Sequence, residues 1–131
     1  MALPNGAGGY QFGDGNLSEI NMVTQVAPTA KTAAATLTAA ELATGIITYT
    51  GAAVALTVPL GTDLDAAFPS MKTDSCFDFY IINIGGTNAA TVTANTGCTL
   101  VGVAAVSANT ACQWRVRKTA ANTYVFYRVA G

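Results

Sequence analysis

The sequence contains no histidine. This absence excludes Ser-His-Asp and Cys-His catalysis, together with most catalytic zinc sites. The 7 acidic residues are scattered, and no nucleophile, general base or cofactor motif accompanies them. Asp63 and Asp65 suit helix capping better than a calcium loop, whose closing glutamate is missing. We therefore expect a protein that is not an enzyme and that binds no cofactor or metal.

Charged residues are scarce as well, at 10% of the chain, and the net charge is -1. No basic stripe is available to neutralise phosphates, so we expect no nucleic-acid partner. A surface with so little charge has two explanations. Either Thr, Ser and Asn keep a stable β-domain soluble, or the protein spends its time packed against other proteins.

Long apolar runs are also missing, since none approaches the roughly 20 residues of a membrane helix. No basic n-region or apolar h-region follows Met1, so we expect a protein that is made in a cytoplasm and has no membrane partner. The 3 cysteines, Cys76, Cys98 and Cys112, form no CxxC pair. We expect them to be small buried residues.

The N-terminal segment MALPNGAGGYQFGDGNL, residues 1–17, is rich in Gly and Asn and shows neither strand nor helix periodicity. It predicts an extended arm ahead of a single β-domain over residues 18–131. Such an arm buries no core of its own, so a partner surface must offset its ordering entropy. We predict that Tyr10, Phe12 and Asp14 make this contact, with the two rings as anchors. The alternative is an idle tail.

The β-domain consists of short runs rich in Thr and Val, with turn signals about every 8 to 12 residues. SEINMVTQV, residues 18–26, is predicted as the first strand, and further strands follow as successive hairpins. This pattern predicts an all-β fold, either an antiparallel β-sandwich or a jelly-roll or barrel-like domain.

One or two very short helices are predicted between the strands. Thr38 and Glu41 have the spacing of a capping box, and Gly45 supplies a C-terminal stop. TDLDAAF is predicted as a second helical turn, with Thr62 or Asp63 as its cap.

The run FDFYIINIGG, residues 77–86, is a strand with two largely apolar faces. An antiparallel strand usually has one apolar and one solvated face. The second face is covered by the short helix, by another element of the domain, or by an identical subunit, and we favour the subunit. The alternating positions are Phe77, Phe79, Ile81 and Asn83 on one face, and Asp78, Tyr80, Ile82 and Ile84 on the other.

Arg115 and Arg117 alternate with Cys112, Trp114 and Val116, so they are predicted to point outward. With Lys118 and Arg128 they form a small basic group if the last two strands pair. This group is either a solvated face that balances the acids or a binding site for an acidic neighbour. The candidate oligomer-interface residues are Tyr80, Ile82, Ile84, Arg115 and Arg117.

Several segments resemble known structural proteins of tailed phages. YQFGDGNLSEI is similar to the opening of small phage virion proteins. TLTAAELATGIITYTGAAVALTVPLGTDLDAAFP, DSCFDFYIINIGGTNAATVTANTGCTLVG and WRVRKTAANTYVFYRV resemble a β-rich module that occurs in capsid decoration (cement) proteins. The resemblance covers roughly residues 10 to 129.

This resemblance implies a structural protein of the virion that is made in the host cytoplasm. Such proteins sit on the assembled capsid as homotrimers and clamp neighbouring major capsid subunits, with the arm spread over the capsid floor. The alternative is a receptor- or glycan-binding module of a phage tail or fibre. In that case the candidate sugar contacts are Trp114, Tyr124 and Tyr127.

Overall fold

The computed structural model describes residues 22–131, and over this range the fold is mostly β, as predicted. The elements in chain order are β1 (Thr29–Lys31), β2 (Ala35–Thr36), α1 (Ala39–Ala43), β3 (Ile46–Tyr49), β4 (Val54–Thr57), α2 (Gly61–Ala67), β5 (Cys76–Asn83), β6 (Ala90–Thr93), β7 (Cys98–Val101), β8 (Ala105–Val106), β9 (Thr110–Ala120) and β10 (Thr123–Ala130). Neither helix is long and apolar enough to cross a membrane.

The strands form two sheets with mixed pairing. The six-stranded sheet has the order β1-β3-β5-β9-β10-β7, and the four-stranded sheet has the order β2-β4-β6-β8. β5-β9, β9-β10 and β6-β8 are antiparallel, whereas β1-β3, β3-β5, β10-β7, β2-β4 and β4-β6 are parallel. The sequence prediction of successive hairpins, and hence of antiparallel pairing throughout, is therefore wrong.

The first six strands alternate between the two sheets. Odd-numbered strands enter the six-stranded sheet and even-numbered strands enter the four-stranded sheet, each parallel to the strand two places earlier. β3 and β4 therefore lie in different sheets, as do β5 and β6, although short turns join both pairs. The β9-β10 connection is a true hairpin, and Asn122 in its turn adopts a φ of 55°.

The two inner sheet faces supply one common core. β5 contributes Phe79 and Ile81, which are fully buried, and it alternates as the sequence predicts. On β9, Cys112, Trp114 and Val116 are buried and Arg115 is exposed, again as predicted. The largest fully buried side chains are Trp114, Tyr49, Tyr124, Phe79 and Phe126 from the larger sheet, together with Leu37, Leu42, Leu56 and Leu64.

The first helix has the ends that its sequence predicts. The Thr38 hydroxyl accepts from the Glu41 amide at 3.1 Å, and the Glu41 carboxylate accepts from the Thr38 amide at 2.9 Å. Gly45 lies just beyond the helix with a φ of +87°, a conformation that glycine adopts without steric cost. The Lys31 ammonium lies 2.6 Å from the Glu41 carboxylate, and this ion pair connects the helix to β1.

The second helix is present, but its predicted cap is wrong. Its N-cap is Leu60, which makes no side-chain capping bond, and Thr62 and Asp63 lie inside the first turn. Gly61 starts the helix because its Cα faces the Asn122 carbonyl, where a Cβ would be only 2.0 Å from the oxygen. Packing against the β9-β10 turn therefore sets this helix start.

The predicted first strand is wrong over its described part, because residues 22–26 form no strand. Its remaining residues, 18–21, and the whole predicted arm lie outside the described residues. The prediction of buried cysteines holds for Cys98 and Cys112, whereas Cys76 is exposed. Burial raises the pKa of the Cys98 thiol to about 11.

Candidate functional site: the outer face of the six-stranded sheet

The candidate site is the outer face of the six-stranded sheet, the side that points away from the shared core. Tyr80 and Ile82 of β5 point to this side, and Ile84 continues the alternation just beyond the strand. Parallel pairing places Ile46 of β3 beside Tyr80. Tyr80 is 44% and Ile84 58% exposed. Residues 22–131 therefore leave this apolar area, which we call the β5 patch (Ile46, Tyr80, Ile82 and Ile84), uncovered.

An ion pair occupies the centre of the outer face. The Arg115 Nε donates to Asp78 Oδ1 at 2.7 Å, and its Nη2 donates to Asp78 Oδ2 at 2.9 Å. The Gln113 amide also donates to Asp78 Oδ2 at 2.9 Å. Hydrogen bonds from Arg115 hold the pKa of Asp78 below its usual value, and the same contact raises the pKa of Arg115. Both charges are thus satisfied inside the chain.

Arg117 forms a second ion pair on the same face. Its Nη2 lies 2.7 Å from Asp74 Oδ1, and its Nη1 donates to the Tyr127 hydroxyl at 3.0 Å. The ion pair with Asp74 raises the pKa of Arg117. Asp74 has a φ of 71°, a left-handed conformation that asparagine and aspartate tolerate better than most residues. The Arg117 guanidinium therefore joins the start of β5 to β10.

Beyond the two ion pairs, the face becomes apolar again at β7. Val101 is the register partner of Tyr127 and is 49% exposed. The outer face therefore has apolar side chains at both ends and neutralised charges between them. The five predicted interface residues share this face, with Ile84 at its rim. The sequence did not predict Ile46 and Val101 as part of this face, because their position on it depends on the order of the strands.

The predicted basic group is wrong for two of its four members. Lys118 turns to the rim of the hairpin, where its ammonium lies 3.0 Å from Asp65 Oδ1. Asp65 also accepts from the Tyr124 hydroxyl at 2.6 Å, and this hydrogen bond lowers the pKa of the carboxyl. Arg128 lies on the same side of β10 as buried Phe126 and donates to the carbonyls of Val103 and Ala105. Only Arg115 and Arg117 remain on the outer face.

Two of the three predicted sugar-contact residues are wrong. Trp114 and Tyr124 are fully buried and cannot stack on a ligand at the surface. Tyr127 lies on the outer face, where its hydroxyl accepts from Arg117. No group of three or more His, Cys, Asp or Glu side chains comes together within residues 22–131. The contact residues predicted for the arm, Tyr10, Phe12 and Asp14, lie outside the described residues.

No protein-family model matches the chain, and neither the curated proteins nor the solved structures include a match. The chemistry of the outer face therefore has to be interpreted from its own residues. It offers apolar area, a tyrosine and satisfied ion pairs, which are the components of a protein-protein contact.

Proposed function

We propose that this chain is a structural protein of a phage virion, which associates with copies of itself and decorates the outside of the assembled capsid. The uncovered outer face of the six-stranded sheet is the observation that carries the proposal. Tyr80, Ile84 and Val101 are each between 44% and 58% exposed there. Exposed apolar side chains of this kind, grouped in the β5 patch and at β7, mark contact sites in soluble proteins.

The charges on the outer face support its use as a contact. Association removes water from charged groups, and an unpaired charge makes this step costly. Arg115 and Arg117 already hold Asp78 and Asp74 within the chain. A partner surface can therefore cover them without supplying an opposite charge, which suits self-association. Aromatic residues and arginine, with few unpaired charges, are typical of interface centres.

The assembled state that we propose is a homotrimer bound to the major capsid protein, with a sandwich- or jelly-roll-like packing of the two sheets. The trimer is suggested by the resemblance to decoration proteins, as is the virion location. Residues 1–17, with Tyr10, Phe12 and Asp14, supply the capsid contact in this proposal. Three arms on one trimer multiply weak contacts through high effective concentration. The proposed role is non-enzymatic and needs no cofactor, membrane or nucleic acid.

The test uses capsids that have been assembled without this chain. Purified protein is added to them, and attachment is followed by co-sedimentation and electron cryo-microscopy. We expect saturable binding at a fixed number of copies per capsid and a higher melting temperature of the shell. A variant without residues 2–17 should remain folded and oligomeric but fail to attach.

Two results would count against the proposal. Full occupancy by the truncated variant would remove the arm from the mechanism. Failure of the intact protein to attach at any concentration, together with a saturable signal on a glycan array, would replace decoration with receptor binding by a tail or fibre module.

A further inference from the structure

A groove that borders the outer face at Asp78 opens where α1, the segment after α2 and the start of β5 meet. Its volume is about 500 Å³. Phe68 and Phe77 pack together in its wall with ring centroids 5.2 Å apart. Met71 adds further apolar surface, and the buried side chain of Leu42 lies behind the lining. The charged side chain in the lining is Asp78, which Arg115 already neutralises, so the groove suits an uncharged apolar occupant.

The segment that enters β1 has a matching chemistry. Residues 22–28, MVTQVAP, carry no charge, and all of them are exposed. Met22 is 84%, Val23 89% and Val26 54% exposed. Three large apolar side chains in an extended, uncovered strip are unfavourable in water unless another surface receives them.

The position of this segment limits what receives it. The Gln25 side chain donates to the Thr44 carbonyl at 2.6 Å, and Thr44 directly follows Ala43, which lines the groove. The segment is therefore held beside the groove of its own copy, yet Met22 and Val23 stay outside it. Among residues 22–131 of one copy, nothing fills the groove, and the side chains of Met22 and Val23 stay exposed. Exchange of segments between two copies fills the groove and covers these side chains.

We propose that the segment Met22–Val26 of one copy docks its apolar side chains into the Phe68–Phe77 groove of a second copy. This inference rests on the self-association included in the proposed function, and it names the contact that holds the copies together. The outer face remains available for additional contacts. Further chain precedes Met22, so the docked segment continues from the neighbouring copy towards the predicted arm.

Photo-crosslinking tests this exchange directly. The photoreactive residue p-benzoylphenylalanine replaces Val23, and equal amounts of ¹⁴N- and ¹⁵N-labelled protein are mixed, unfolded and refolded together before irradiation. Trypsin cleaves after Lys31 and Lys72, so the probe and the Phe68 side of the groove fall in different peptides. We expect crosslinks between the peptide ending at Lys31 and peptide 32–72, with half of them joining a light to a heavy peptide.

The matched control places the same probe at Thr91, an exposed position on the outer side of the four-stranded sheet. It should give no crosslink to peptide 32–72 of another copy. A second variant, Ser70→Trp, fills the groove from an exposed lining position, and Ala66→Trp on the exposed side of α2 is its control. Ser70→Trp should remove the Val23 crosslink and weaken self-association at least about 10-fold, whereas Ala66→Trp should leave both unchanged.

The outcomes separate this inference from the proposed function. Oligomers with crosslinks confined to one isotope, or with no crosslink into peptide 32–72 or into residues 75–78 of peptide 73–115, would overturn segment exchange and leave the decoration proposal standing. Protein that stays monomeric at every concentration would overturn segment exchange and the proposed self-association together. An unchanged crosslink in Ser70→Trp would also contradict docking in the groove.

Discussion

The outward-facing sides of the two sheets differ in almost every property. The six-stranded sheet presents Tyr80, Ile82 and Val101 with two ion pairs between its apolar ends. The four-stranded sheet presents threonine and alanine: Thr36, Thr57 and Thr93 form one row in register, and Ala55, Thr91 and Ala105 form the next. One face contains charges and large apolar groups, whereas the other contains neither.

Each of the two explanations for the low charge of the chain fits one of these faces. Hydroxyl groups keep the smaller face compatible with water, because threonine exposes both a donor and an acceptor. In the β5 patch of the larger face, Ile46, Ile82 and Ile84 carry no hydroxyl group, whereas Tyr80 and the neighbouring Thr48 do. The four-stranded sheet therefore fits a domain that small polar side chains keep soluble, and the β5 patch fits the proposed packing against neighbours.

The sharpest test inserts the same charge on each face. Ile82→Lys places an ammonium in the β5 patch, where a partner surface would have to desolvate it. We expect self-association, measured by analytical ultracentrifugation, to weaken at least about 30-fold, as for an interface hot spot. Thr91→Lys makes a matched change at an exposed strand position of the smaller sheet and should leave association unchanged. Equal effects of the two changes would show that the faces do not differ in function.

The sequence predicts which way most side chains of the long strands point, because alternation is a local property. Phe79 and Ile81 point inward and Tyr80 outward, as the period of two requires. The same alternation places Trp114 inward with Cys112 and Val116. Its proposal as a sugar contact was therefore already at odds with the strand pattern, and the structure buries it completely.

The alternation of side chains does not predict which strands pair with each other. A four-residue strand such as β4 has the same sequence pattern whether its neighbour is parallel or antiparallel. The short turn between β3 and β4 resembles a hairpin turn, although the chain crosses there from one sheet to the other. Ile46 joins Tyr80 on the outer face only through parallel pairing of β3 with β5. The extent of the candidate site therefore depends on non-local contacts.

Asn83 tests whether the two sheets behave as one cooperative unit. It is a buried polar residue at the end of β5, and its amide donates to the Val106 carbonyl of β8 at 3.0 Å and to the Asn88 carbonyl at 2.8 Å. Asn83→Ala leaves those carbonyls without this donor, which should lower the free energy of unfolding by about 1–3 kcal/mol. Urea denaturation followed by circular dichroism and by tryptophan fluorescence measures the change.

The control for this substitution is Asn88→Ala, which removes one hydrogen bond from an exposed amide to the Gly51 carbonyl. Its effect should be clearly smaller. Coincident transitions with both probes are expected if the smaller sheet unfolds together with the larger one. A loss at Asn83 no greater than that at Asn88 would mean that this bond does not connect the sheets energetically.

The smallest expected effect is on the melting temperature at low pH, and it again distinguishes the two faces. Hydrogen bonds from Arg115 lower the pKa of Asp78, whereas the paired strands of the four-stranded sheet contain no carboxylate. A carboxyl whose pKa is lowered by folding stabilises the folded state above its unfolded pKa of about 4, and this contribution is lost as the pH falls through the folded value. Asp78→Asn should therefore reduce the difference between melting temperatures at neutral pH and below about pH 3, by no more than about 3 °C because the pair is partly exposed. Asp63→Asn, on the exposed side of α2, is the control. An equal change in both variants would show that the ion pair on the outer face is not the cause of the acid response.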